Sequence, residues 1–169
     1  MSMKLRRGLA CGVVLGVSAL AATPAFAQGL LTTHRISAPL ALEAVGAAVA
    51  SCASQGYAES AVVVDASGAR QALLRGDNAG VHTLDSATGK AYTSASFKAP
   101  SAAVAERLLA NPQTAQLGHL PGVLLLGGGL PIKIGDEVVG AIGAAGAPGG
   151  DKDEACAKAG LDKIADRLK

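Results

Sequence analysis

The C-terminal third of the chain is dense in glycine: Gly127-Gly128-Gly129-Leu130-Pro131-Ile132, then Gly140-Ala141-Ile142-Gly143-Ala144-Ala145-Gly146, then Gly149-Gly150 before Asp151-Lys152-Asp153-Glu154. Glycine serves where backbone approaches something closely or takes positive φ, because it has no Cβ to collide. The stretch therefore predicts strands and loops built tightly around a packed surface or a ligand. Both roles need the same residues, so the remaining sequence has to separate them.

The N-terminus sets the compartment. Lys4, Arg6 and Arg7 precede an apolar run from Gly8 to about Ala22, and Ala25-Phe26-Ala27 offers an A-x-A cleavage pattern. This reads as a secretory signal peptide over residues 1–27, leaving a periplasmic or secreted mature protein over residues 28–169. Cys11 precedes the apolar run and follows Gly8-Leu9-Ala10, an order unlike a lipidation signal. No later segment offers the roughly 20 apolar residues of a membrane span, so no membrane partner is expected after cleavage. Removing 27 residues from 169 leaves 142, the size of one ordinary domain. The mature chain then carries 12 basic and 13 acidic residues, so the net positive charge of the full chain disappears with its leader. Without a basic patch or stacking aromatics, nucleic-acid binding has no footprint.

Cleavage also leaves two cysteines, Cys52 and Cys156. In an oxidising compartment they form one structural disulfide by default, and the absence of C-x-x-C argues against a redox role.

Hydrophobic spacing organises the rest. A helix begins near Ser37, with Pro39 in its first turn and Leu42, Val45, Val49 and Cys52 inward; Gly56 ends it. Ala61-Val62-Val63-Val64-Asp65 is a continuous apolar run, the pattern of a strand covered on both faces. Ala66-Ser67-Gly68 turns it into a second strand, Ala69 to Arg75. Thr83, a candidate N-cap, opens a helix to Phe97 with Leu84, Ala87, Ala91 and Ala95 on one face. Such small side chains predict a helix pressed against sheet backbone or another subunit. A short helix from Ser101 stops at Asn111-Pro112. Val123–Leu126, Leu130–Ile134 and Glu137–Ala144 read as strands, the last two joined at Gly135-Asp136, before a final helix from Asp151 to Leu168 with Ala157, Leu161, Ile164 and Leu168 inward. For the cysteines to bond, the two terminal helices must share one face of the sheet while the Thr83–Ala110 helices cover the other. The fold class is α/β, a three-layer α/β/α sandwich around an antiparallel sheet of about five strands.

Enzyme signatures are mostly missing. Gly140 to Gly146 spells G-x-x-G-x-x-G, which is not a dinucleotide fingerprint, and Gly89-Lys90 lacks the rest of a phosphate loop. There is no H-E-x-x-H or G-x-S-x-G in the mature chain. His34, His82 and His119 are candidate ligands, with none at metal-site spacing to a second ligand. His82 follows the polar loop Arg75-Gly76-Asp77-Asn78-Ala79-Gly80-Val81, and His119 precedes Pro121-Gly122. Asp65 and Asp153 are explained by turn formation and by helix N-terminal charge. Mature aromatics are Tyr57, Tyr92 and Phe97, too few to enclose a flat cofactor deeply; such a cofactor would sit in a shallow or intersubunit site.

Several blocks in order carry a family pattern: Val62-Val63-Val64-Asp65-Ala66-Ser67-Gly68, Arg75-Gly76-Asp77-Asn78-Ala79, Lys90-Ala91-Tyr92-Thr93-Ser94-Ala95-Ser96-Phe97, Gly128-Gly129-Leu130-Pro131-Ile132, Val138-Val139-Gly140-Ala141-Ile142-Gly143, and Asp153-Glu154 before Ala159-Gly160. Over nearly the whole mature length the chain resembles the GlcG/HbpS family of haem-binding proteins, which includes the C-terminal domain of PduO-type proteins. The resemblance implies a profilin-like α/β/α domain, haem as cofactor with sensing, scavenging or delivery roles, and a homo-oligomer. It points to the Lys90–Phe97 helix, Thr93 in particular, and to Gly128, Gly129 and Pro131 as the pocket region. His82 is the first choice of axial ligand to haem iron and His119 the second, with Lys90 or Arg75 pairing a propionate. The family's Gly-x-Ser-Gly reads Gly143-Ala144-Ala145-Gly146 here and loses a hydroxyl, and no E-x-x-E pair is present for iron. Two other readings stay open: a non-haem small-molecule or protein-interaction module, and a weak enzyme on small oxidised metabolites using His82 and Asp85.

Overall fold

The structure is a computed structural model that describes Gly29 and residues 31–168; the leader, its cleavage site and Cys11 lie outside the described residues. Residues from Thr33 onward gather into one compact unit. In chain order its main elements are α1 (Ala38–Ser54), β1 (Ser60–Asp65), β2 (Arg70–Arg75), α2 (His82–Phe97), α3 (Ser101–Leu109), α4 (Pro112–Ala115), β3 (Gly129–Ile134), β4 (Glu137–Ala145) and α5 (Gly150–Ile164). Short 3₁₀ turns occur at Gln116–His119 and Ala165–Arg167.

Among the described residues four strands form the sheet in the order β2-β1-β4-β3, every neighbouring pair antiparallel. The Val run is the fully buried β1 at its centre. Because side chains alternate across a strand, Ala61 and Val63 join one core and Val62 and Val64 the other. The first core lies under α1 and α5, with Ala41, Ala44, Val45, Ala48, Cys52, Cys156, Ala157 and Ile164. The second lies under α2 and is made of Ala87, Ala91 and Ala95 against Val62, Val64, Ala141 and Ala145. Gly143 explains how α2 comes so close: a Cβ there would strike the Ala87 carbonyl and the Ala91 amide of the helix. The three-layer α/β sandwich expected from the sequence is present, with the small helix face laid on sheet backbone.

The expected fifth strand is absent. Residues Val123–Leu126 run as a loop because side chains, not a neighbouring strand, take their backbone groups. Thr93 Oγ1 accepts from the Leu124 amide at 2.8 Å and donates to the Leu124 carbonyl at 3.2 Å, while Ser101 Oγ donates to the Leu126 carbonyl at 2.7 Å. Two smaller corrections concern helices. Leu42 is 61% exposed, the inward stripe of α1 being Ala41, Ala44, Val45, Ala48 and Cys52. Thr83 is not the cap of α2; its hydroxyl donates to the Gly80 carbonyl at 2.6 Å and meets Ser60 Oγ at 2.7 Å. Ser37, by contrast, caps α1 by accepting from the Leu40 amide, and Gly149 opens α5.

Cys52 and Cys156 are bonded, which ties the last turn of α1 to α5 across 104 residues of sequence. Among the described residues, no helix is long and apolar enough to cross a membrane.

Candidate functional site

Of the residues expected to touch a ligand, the structure gathers several into the interior instead. Lys90 is 3% exposed. Its Nζ donates to Asp153 Oδ2 at 2.5 Å and to the Ala144 carbonyl at 3.1 Å, so its charge is already paired inside the protein. Asp153 in turn accepts from the Ala147 amide at 2.9 Å. Thr93 is wholly buried and its hydroxyl is spent on Leu124. Gly128 and Gly129 are buried as well: Gly128 holds φ 119°, a Cβ on it would meet the Ala144 carbonyl and Asp153, and one on Gly129 would strike the Lys90 carbonyl. Both serve close packing here. Pro131 is half-buried in β3, opposite Ala141, on the edge of the sheet where its missing N–H breaks no ladder.

The remaining candidates are exposed, at three separate places. Arg75 ends β2 and lines a cavity of about 290 Å³ with Val49, Tyr57, Glu59 and Asp77. His119 ends a 3₁₀ turn on the surface. His82 is the first residue of α2, exposed, with its ring folded back over Gly80. Among the described residues its ring makes no hydrogen bond. His34, in contrast, is engaged by Glu137 at 2.7 Å, whose carboxyl is held below its usual range mainly by that contact.

A groove of about 280 Å³ lies between α2 and the loop before β3, lined by Asp85, Ser86, Gly89, Gly122, Val123 and Leu124. At 3.6 residues per turn, His82, Ser86 and Gly89 share one helix face. Gly89 lets Leu124 pack directly on the helix; a Cβ there would stand 2.9 Å from the Leu124 Cβ. The loop is pinned at Leu124 by Thr93, so this residue shapes the groove from beneath. Exposed apolar side chains, Val81 at 72%, Leu120 at 50% and Leu126 at 54%, occur on the segments that carry the groove and continue from it. The groove offers a flat, mostly apolar wall with a free imidazole one turn beyond it. It covers one side of a ligand, not both.

The sequence reading missed Glu59. It is 1% exposed, immediately before β1, beside the disulfide and the Lys90–Asp153 pair. An acid placed two residues ahead of the apolar run Ala61–Val64 was the available signal.

Comparison with known proteins follows this architecture. The family described as "Haem degrading protein HbpS-like" matches residues 36–162. The HbpS crystal structure is 38% identical, covering 83% of this chain and 97% of that one with TM-score 0.76. A doubly substituted HbpS from Streptomyces reticuli is 40% identical, covering 84% and 97% with TM-score 0.75. The structure titled PduOC:Heme Complex is 19% identical, covers 78% and 96% with TM-score 0.69, and shares the fold. No curated protein matches the chain. With three-quarters of its length matched and two HbpS structures near 40% identity, the chain belongs to the HbpS-like family.

Proposed function

We propose that the protein binds haem in the groove between α2 and the Gly122–Leu124 loop, with His82 as iron ligand, and that it does so after export. The observation that carries this reading is the free imidazole of His82 on the same helix face as the small residues Ser86 and Gly89, opposite Val123 and Leu124. Haem iron takes a donor such as a histidine imidazole, and cofactor sites pair apolar walls with a few placed polar groups; this face offers both. Membership of the HbpS-like family and the likeness in fold to a haem-bound PduO-type domain support it. When bound, haem supplies a redox-active, ligand-binding iron. The chain contributes His82 as donor and an apolar wall that excludes water from one face. Lys90, bonded to Asp153, is given no propionate in this reading.

Because the groove is one-sided, the second face of the macrocycle is covered by another copy of the chain, so haem binding and homo-oligomer formation go together. Titrating purified protein with haemin tests the reading: a Soret shift that His82→Ala abolishes and His119→Ala leaves in place supports it. An unchanged titration in His82→Ala overturns the ligand assignment, and no Soret change in the parent protein overturns haem binding. Native mass spectrometry gives the alternative its chance, since a bare oligomer without co-purified haem favours an interaction module.

A further inference from the structure

Glu59 stands where a carboxylate has no reason to be ionised. Its Oε2 lies 2.6 Å from Cys52 Sγ, and its Oε1 has no hydrogen-bond partner among the described residues. A disulfide sulfur carries no proton to donate. An ionised carboxylate at that distance would therefore press its charge on sulfur lone pairs in a buried site, whereas the acid form can direct its O–H at the sulfur. The buried cation of the cluster offsets this only in part, because Lys90 is bonded to Asp153 and the Ala144 carbonyl rather than to Glu59.

The two sulfurs are also not equivalent. Cys156 Sγ lies beneath the exposed side chain of Gln55, whose Nε2 is 3.9 Å away. Cys52 Sγ is the one that meets Glu59. The bond sits at the C-terminal turn of α1, next to Gln55 and the positive-φ Gly56, and helix ends are where local opening starts. Both cysteines are fully buried at rest, so an incoming thiol reaches Cys156 when that end opens.

We propose that Cys52–Cys156 is a proton-coupled thiol–disulfide pair in which Glu59 is the acid for reduction and the base for re-oxidation. A thiolate of an external dithiol attacks Cys156 Sγ, forming a mixed disulfide and breaking the bond to Cys52. Cys52 leaves with the bond's electron pair and takes the proton of the Glu59 carboxyl, giving a Cys52 thiol and a Glu59 carboxylate. The dithiol's second thiolate then displaces Cys156, which takes a proton from solvent, and the dithiol departs as its disulfide. Two electrons pass from dithiol to protein. In the reverse direction the Glu59 carboxylate removes the Cys52 thiol proton, producing the nucleophilic thiolate that closes the bond.

The surroundings of Glu59 fit the role. Burial, and next the Asp153 carboxylate on α5, push its carboxyl up to about 8, while Lys90 on α2 and the Ala147 amide pull the other way. Cys52 faces it from α1 and Cys156 from α5, and Arg75 and Asp77 share the cavity that Glu59 lines at the end of β2. An acid poised near neutral pH is suited to both directions of transfer.

The test is the rate of disulfide reduction by dithiothreitol between about pH 6 and 9.5, divided by the thiolate concentration at each pH. Proton delivery by Glu59 predicts a per-thiolate rate that falls at least about tenfold as Glu59 ionises, below the full range that general acids contribute. Local opening alone predicts a flat or rising profile. Glu59→Gln is expected to be slow and flat, and Glu59→Asp to recover an inflection. A parent profile without a fall, or a Glu59→Gln profile that keeps it, overturns the proposal. Should Glu59→Gln not fold, the parent profile decides alone, because its direction distinguishes proton delivery from opening.

Discussion

On one side of the sheet α1 and α5 bury Val45, Cys52, Cys156 and Ile164 and are joined by a covalent bond; on the other, α2 lies on Val62 and Val64 through the methyl groups of Ala87, Ala91 and Ala95. Alanine contributes little apolar area, and each buried CH₂ group is worth about 0.8 kcal/mol. The second layer is therefore held as much by polar pins as by burial. Thr93 fixes the loop at Leu124, Ser94 Oγ donates to the Ala99 carbonyl, and Ser101 Oγ accepts from the Gly129 amide. Small side chains give α2 close approach and an open outer groove, at the expense of the hydrophobic grip that its opposite layer has.

The largest way to break this contrast is to remove the bond. Replacing both Cys52 and Cys156 by Ala frees a loop of 104 residues, for which chain entropy gives about 4–5 kcal/mol. Chemical denaturation under identical conditions should show that loss, with the reduced parent protein close to the variant. If the variant retains the parent midpoint, α1 and α5 hold without the bond and the two layers differ less than their composition suggests.

Next is the ion pair that joins the layers, since Lys90 belongs to α2 and Asp153 to α5. Lys90→Met leaves Asp153 buried beside Glu59 without its cation and should cost about 3–5 kcal/mol. Adding Asp153→Leu should recover most of that, because two apolar groups leave no charge behind. A double variant as unstable as the single would mean that Asp153 is needed for its bond to the Ala147 amide rather than for its charge.

Thr93→Val probes the polar pins themselves. The isostere keeps the volume and strands both the amide and the carbonyl of Leu124, at about 1–3 kcal/mol. Hydrogen exchange should rise over the Gly122–Leu126 loop and stay unchanged at the α1–α5 seam. Exchange rising equally at both would show that the layers unfold as one unit.

These residues also mark where the sequence was legible. The Val run, the hairpin turn at Ser67-Gly68, the tight turn at Gly135-Asp136 and the pairing of the two cysteines were readable, because each depends on local periodicity, turn chemistry or a two-way choice. The segment Val123-Leu124-Leu125-Leu126 misled because it has the composition of a buried strand, and its actual partners, Thr93 and Ser101, lie 31 and 25 residues away. Lys90 and Thr93 looked like ligand groups for the same reason. A polar side chain's partner is a tertiary fact, and Lys90 finds its own 63 residues downstream. His82 stayed legible as exposed because it follows a polar loop at a helix start, but the groove beside it needed the Leu124 loop, which no spacing reveals.

The smallest effect per measured step concerns the acid that the covalent layer buries. In the unfolded chain Glu59 ionises near its ordinary value, about 4.3 for a glutamate, whereas in the fold burial holds its proton up to about 8. Between those values the folded state carries a proton that the unfolded state lacks, so stability falls as pH rises through the window and levels off above it. One proton gives at most about 1.4 kcal/mol per pH unit. Asp65 acts with the opposite sign at lower pH: the Ser67 hydroxyl foremost, then the Ala69 and Ser67 amides and Arg35, hold it below its usual range against the burial that raises it. Its contribution is lost as pH falls through that lowered value. Urea midpoints measured between about pH 5 and 8 should therefore decline in the parent and decline less in Glu59→Gln. Parallel profiles would mean that Glu59 ionises alike in the folded and unfolded chain, and the covalent layer would then hold no acid set apart from solvent.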